Sequence, residues 1–193
     1  MVDGVTILVA LPAEARPLRR RFALQRRQPD GRIPLYLGGR LALAICGPGA
    51  GAATAAVAYL QGLGLWSDPA WLNIGIAGHA DLPLGSVRLV KRVSCATSGC
   101  GWRLYPPHLG GVPHGQVRTL SRPGSHYHQG WLYDMEAAGL LAGGEIPPTR
   151  IQLLKVVSDN RRHSTRAINA RLVEELIGAQ LQPIERLVEW MLE

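Results

Sequence analysis

Lysine is almost missing from this chain: of 21 basic residues only Lys91 and Lys155 are lysines, and the rest are arginines. Cysteine is scarce too. Cys46, Cys95 and Cys100 are an odd number, so they cannot all pair within one chain, and 193 residues do not need disulfides to hold a core; reduced thiols are expected. No stretch approaches the roughly 18 uncharged apolar residues of a membrane span. The N-terminal residues lack the basic start and small-residue cleavage site of a signal peptide, so a cytoplasmic address is expected. Histidine and cysteine show no compact ligand spacing. His108, His114, His126 and His128 with Cys95 and Cys100 can be assembled on paper, but the gap between the cysteines is wide for a zinc knuckle, and no metal is expected.

What remains is a globular composition, 47% hydrophobic and 18% charged, of a size that suits one domain, residues 1–193. The net charge is +7, with its densest run at Arg16, Arg19, Arg20, Arg21, Arg26 and Arg27. That run reads as a solvated or anion-attracting helix face, and a nucleic-acid partner is not expected from it.

Strand-like apolar runs at 5–10, 33–37, 41–46, 71–76, 86–93, 116–120 and 151–157 alternate with helix patterns at 12–22, 50–62, 131–142, 165–177 and 183–192. Gly38-Gly39 marks a hairpin, and residues 95–115, rich in Gly, Pro, His and Ser, read as a long loop. Alternation of this kind predicts an α/β protein, a three-layer α/β/α sandwich on a central mixed, largely parallel sheet.

Two acidic stations stand out. Tyr133-Asp134-Met135-Glu136 places a carboxylate at a helix start, and Val157-Ser158-Asp159-Asn160 places one at a strand's carboxyl end, where open α/β sheets hold ligands. Locally each has an ordinary explanation: Asp159 as a helix N-cap, and Glu136 as a first-turn residue favoured by the helix dipole beside a core methionine. Gly47-Pro48-Gly49-Ala50-Gly51 opens a helix and is either a tight turn or a cradle of backbone N–H groups for an anion. Glu14 is either an exposed helix residue or part of a site. Cys46, before the glycine loop, reads as a buried small residue rather than a nucleophile.

Taken together with Ala10-Leu11-Pro12-Ala13-Glu14 and Asn73-Ile74-Gly75-Ile76-Ala77-Gly78, these segments resemble the purine nucleoside phosphorylase and methylthioadenosine/adenosylhomocysteine nucleosidase superfamily, in the family's order and over most of the chain. The resemblance implies cleavage of an N-glycosidic bond. Asp159 would be the general acid to the purine base, Glu136 the grip on the ribose hydroxyls with Met135 beside it, and Glu14 the residue that polarises water; Ala77, Gly78 and Ser158 would complete the substrate site. If the enzyme were a phosphorylase, Gly47 and Gly49 would hold inorganic phosphate as co-substrate; otherwise no cofactor is implied. A nucleoside-binding protein without catalysis is the third reading. The family also implies a homo-oligomer, a dimer first, acting on a small-molecule nucleoside away from membranes.

Three positions depart from the family pattern: Ile76 replaces a serine, His79 a glycine and Lys155 an arginine near the nucleophile site. Residues 93–131 look shortened, and Trp102, Tyr105 and Tyr127 are candidates to stack on the base or simply to pack a loop.

Overall fold

A computed structural model describes residues 2–27, 33–124 and 127–193. The first parallel unit is β1 (Gly4–Val9), α1 (Pro12–Arg21) and β4 (Leu41–Ile45), with β2 (Gln25–Arg27) and β3 (Leu35–Gly38) forming the hairpin edge. Then follow α2 (Ala50–Gly62), β5 (Pro69–His79), β6 (Val87–Cys95), β7 (Gly101–Arg103), β8 (His114–Thr119), β9 (Leu132–Asp134), α3 (Ala137–Ala142), β10 (Ile151–Asp159), α4 (Ala170–Gly178) and α5 (Leu181–Leu192).

The central strands β4, β1, β5 and β10 run parallel, and the antiparallel pairings lie at the flanks. β10 pairs with both β5 and β6, and β8 and β9 link β6 back to β5, so five strands close into a ring at one side of the sheet. Alternation along each strand supplies two cores. Val5, Ile7 and Val9 pack with Leu72, Ile74, Leu154 and Val156 under α1, α4 and α5. Leu8, Ala42, Ala44 and Leu153 face the other way, under Ala53, Ala56, Val57 and Leu60 of α2 and Leu140 of α3. The result is the expected three-layer sandwich. Truncating a fully buried member such as Leu72 or Leu154 to alanine costs about 2–5 kcal/mol. The small residues of α2 allow close approach: a Cβ on Gly139 of α3 would lie 2.0 Å from the Ala50 carbonyl oxygen.

Several expected elements change. Residues 131–142 do not form one helix; Leu132–Asp134 is a strand inserted between β5 and β8, and helix begins only at Ala137. Ladder pairing on both sides outweighs the local helical pattern. The expected loop at 95–115 contains β7, which folds back on β6. Residues 165–177 divide into a 3-10 turn (Thr165–Ala167) and α4, whose start is set by Asn169 accepting the Leu172 N–H. The arginines of α1 are largely neutralised: Arg16 and Arg20 pair with Glu174, Arg21 with Glu185, and Arg19 lies 3.9 Å over the Tyr36 ring.

Candidate active site

At the carboxyl ends of β1, β5 and β10 the sheet opens, because the partners of β5 change along its length. β1 accompanies it to Asn73 and β9 joins it only at Gly78. Between those points β5 needs another partner for its backbone on that edge. Glu14 supplies it.

Glu14 sits in the first turn of α1 and turns its carboxylate back toward the sheet: Oε2 accepts the Ala10 and Leu11 N–H groups, each at 2.9 Å, and Oε1 accepts the Ile76 N–H at 3.0 Å. The residue is 1% exposed, which excludes the ordinary surface-helix reading. Burial raises its pKa from 4.5 to about 7, against the backbone donors and Lys155, which favour the ionised form; Glu136 adds to the rise. Gly75 lets this happen, since a Cβ there would lie 3.2 Å from Glu14 Oε1 and 3.4 Å from Lys155 Nζ. Both charges therefore lie over the same point of β5.

Lys155 is fully buried on β10, with Nζ 2.7 Å from Asp134 Oδ2. Burial opposes its charge, yet Asp134, Glu136 and Glu14 together hold its pKa above the usual lysine value. Asp134 is tied down further: Thr119 Oγ1 donates to Oδ1 at 2.7 Å and the Ala137 N–H donates to Oδ2 at 2.8 Å. The turn that begins α3 is thus fixed to β8 and β10 at once, and it presents Met135 and Glu136 to the opening. Burial raises the pKa of Glu136, partly offset by Lys155. Its Oε1 accepts the Gly49 N–H at 2.8 Å. That backbone donor of the glycine loop is therefore used by a carboxylate of the chain itself.

Asp159, 3% exposed, lines the same opening. The β5–β10 register slips between Val157 and Asp159, and the extra residue is Ser158, a bulge of the kind that re-aims side chains beside functional sites. Ser158 Oγ donates to Asp159 Oδ1 at 2.7 Å. Tyr127 and Thr165 reach Oδ2 at 2.5 and 2.9 Å, and each also approaches the Gly124 carbonyl. Tyr127 stacks on Tyr133 with centroids 4.9 Å apart, and burial followed by the Asp159 contact raises its pKa to about 12, so it remains a donor at neutral pH.

These groups enclose a cavity of about 240 Å³. Glu14, Ala77, Gly78, Met135, Glu136, Ser158 and Asp159, all expected from the sequence, line it together. Gly47 and Gly49 do not, although Pro48 between them does. Tyr127 reaches the cavity, whereas Trp102 and Tyr105 lie around a separate concavity beside β7. Thr165 is an addition that no local pattern announced, and Tyr133 and Asp134, which stood in the first acidic station without a role, also line the cavity. The departures also find their places: Ile76 contributes its N–H, and His79 Nδ1 accepts the Asp81 and Leu82 N–H groups at 3.0 Å as a turn residue. Burial pushes the Cys46 thiol up to about 12, with Glu136 and Glu14 adding to the rise, so it is no nucleophile. No cluster of metal-ligating side chains occurs among the described residues, and His126 lies outside them. No helix is long and apolar enough to cross a membrane among the described residues.

No protein-family model matches the sequence, and neither does any curated protein. Solved structures do. The apo 5′-methylthioadenosine nucleosidase of Arabidopsis thaliana superposes with a TM-score of 0.79 at 16% identity, covering 98% of this chain and 96% of that one. The Helicobacter pylori 5′-methylthioadenosine/S-adenosylhomocysteine nucleosidase, as a D198N mutant with 5′-methylthioadenosine in its active site, gives 0.78 at 12% identity over 98% and 99%. The S. pneumoniae enzyme with a transition-state inhibitor gives 0.78 at 17% over 96% and 98%. The chain has the nucleosidase fold. Within that fold Glu14 and Asp159 line one opening, and β10, which closes the ring of strands, carries Asp159 at its end.

Proposed function

We propose that the chain hydrolyses the N-glycosidic bond of a purine nucleoside, with 5′-substituted adenosines as the first substrate class. The observation that carries this reading is the convergence of the buried carboxylates Glu14, Glu136 and Asp159, with Asp134 paired to Lys155 beside them, on one cavity at the strand ends. Glu136 accepts hydrogen bonds from the ribose hydroxyls through Oε2, which takes a long 3.4 Å contact from the Met135 N–H and keeps a lone pair for a hydroxyl. Water attacks the anomeric carbon as Glu14 takes its proton, the carbon–nitrogen bond breaks with its electron pair passing to the base, and Asp159 delivers the proton that the departing base requires. Atoms balance as nucleoside plus water giving free base and free sugar. A pKa near 7 suits Glu14 to the basic role, since a base works best when its pKa is close to the ambient pH.

Hydrolysis is favoured over phosphorolysis by charge. Lys155 is already neutralised by Asp134, the Gly49 N–H serves Glu136, and Arg122 at the exposed rim is the one cationic side chain lining the cavity among the described residues. A phosphate dianion would enter a pocket of carboxylates. The 5′-methylthioadenosine bound by the H. pylori enzyme makes that compound the first to assay. The test is a nucleoside panel with and without phosphate, read as free base. Free adenine and reducing sugar released without phosphate support the reading; a phosphate requirement with ribose 1-phosphate as product overturns it. We extend the proposal to a homodimer, checked by sedimentation.

A further inference from the structure

Tyr127 stands where a substrate group belongs. The hydroxyl end of its ring lies against β5 at Gly78, so close that a Cβ on that glycine would sit 2.3 Å from Tyr127 Cζ. The same ring stacks on Tyr133, with an interplanar angle of 24°, and its hydroxyl meets Asp159 Oδ2. An aromatic ring, a parallel aromatic platform and a hydrogen bond to the acid are the contacts a leaving base would make.

We infer that Tyr127 is a built-in surrogate for the base, and that a purine enters by displacing it from Tyr133 and from Asp159. The inference rests on the nucleosidase reading and deepens it by naming Tyr133 as the base platform and Tyr127 as the group the base must outcompete.

Counting donors supports the exchange. Asp159 Oδ1 is committed to Ser158, so the oxygen available to a base nitrogen is Oδ2, and Oδ2 is shared by Tyr127 and Thr165. Two hydroxyls, each with one proton, serve both Oδ2 and the Gly124 carbonyl. When the base takes the place of Tyr127, Thr165 remains within 2.9 Å of Asp159 to hold the carboxyl in position. Ser158 is unaffected. The ligand class that fits is a planar heterocycle with a hydrogen-bonding nitrogen at its edge; an apolar ring would lose the Asp159 contact and leave the acid without its replacement partner.

The experiment is calorimetric titration of the full chain with adenine. Tyr127→Phe keeps the stacked ring but removes the competing hydroxyl, and adenine affinity is expected to rise about tenfold, about the size of one hydrogen bond. Tyr133→Ala removes the platform and should weaken adenine about tenfold. Thr165→Val removes the other hydroxyl without touching the ring and should change the affinity less than threefold. Unchanged or weaker adenine binding by Tyr127→Phe overturns the inference. So does a gain as large in Thr165→Val, which would mean that loosening Asp159, not vacating a ring site, admits the base. No adenine binding by any of the proteins also overturns it. Turnover is read separately: tighter adenine binding by Tyr127→Phe with no nucleoside cleavage by the unaltered chain would end the hydrolase reading and leave the surrogate standing.

Discussion

The two walls of the cavity hold their carboxylates by opposite means. On one side Glu14, Glu136 and Asp134 surround the buried Lys155, and backbone N–H groups from Ala10, Leu11, Gly49, Ile76 and Ala137 fix each carboxylate. On the other, the partners of Asp159 among the described residues are hydroxyls: Ser158, Thr165 and Tyr127. A buried ion pair is rigid, because removing either partner strands an uncompensated charge. A hydroxyl can rotate, donate or accept, and can yield its place to a ligand atom. The ionic wall therefore suits the invariant parts of the proposed reaction, water and sugar, and the hydroxyl wall suits the base, which must arrive, be protonated and leave.

The largest effect should come from the acid of the hydroxyl wall, Asp159. Asp159→Asn retains the size and the Ser158 contact but cannot deliver a proton, and kcat is expected to fall about 10³- to 10⁴-fold with KM changed only a few-fold. Full activity in this variant would remove Asp159 from the chemistry. Next comes the ionic wall's centre. Lys155→Met leaves Asp134 charged in the interior and should cost about 3–5 kcal/mol by denaturant titration. Because Lys155 favours the ionised form of Glu14, the same variant should move the acidic limb of kcat/KM to higher pH. A limb that stayed in place would uncouple the two residues.

Glu14→Gln should lower kcat/KM about 100-fold, and its pH dependence gives the sharper reading. In the unaltered chain activity should rise with pH and level off above about 7, where Glu14 is ionised; in the variant that limb should vanish. Stability carries the opposite sign. Glu14 loses its proton near 4.5 when unfolded and near 7 when folded, so the folded state binds the extra proton between those values and stability falls as pH rises through them. Thermal unfolding of Glu14→Gln should lack that slope.

How much of this contrast was readable beforehand differs between the walls. Glu14, Glu136 and Asp159 sit in short segments whose strand end, turn or helix start is local; each alone has an ordinary explanation, and it was the order of the five segments, through the family resemblance, that marked them. The partners that give each wall its character are not local. Asp134 matters because β9 lies beside β8 and β5, bringing it to Thr119 and Lys155, and β9 was hidden inside a helical pattern. Thr165 and Tyr127 reach Asp159 from two separate segments, and nothing in their own surroundings favours a site over a loop. The layered fold was legible for the reason the three acids were: strand and helix periods are local signals. The closed ring of strands, which depends on β10 pairing on both sides, was not.

The smallest expected effect tests whether the ionic wall owes its rigidity to charge. Thr119 Oγ1 donates to Asp134 at 2.7 Å and accepts the Ala138 N–H at 3.0 Å, so it is the hydroxyl element within that wall. Thr119→Val keeps the shape and deletes both bonds. Asp134 retains Lys155 and the Ala137 N–H, so the loss should be about 1–2 kcal/mol, well below that of Lys155→Met. No charge is removed, and the acidic limb of kcat/KM should stay where it is. If Thr119→Val cost as much as Lys155→Met, the hydroxyl and not the ion pair would be fixing Asp134, and the distinction between the two walls would fail at its most deeply buried point.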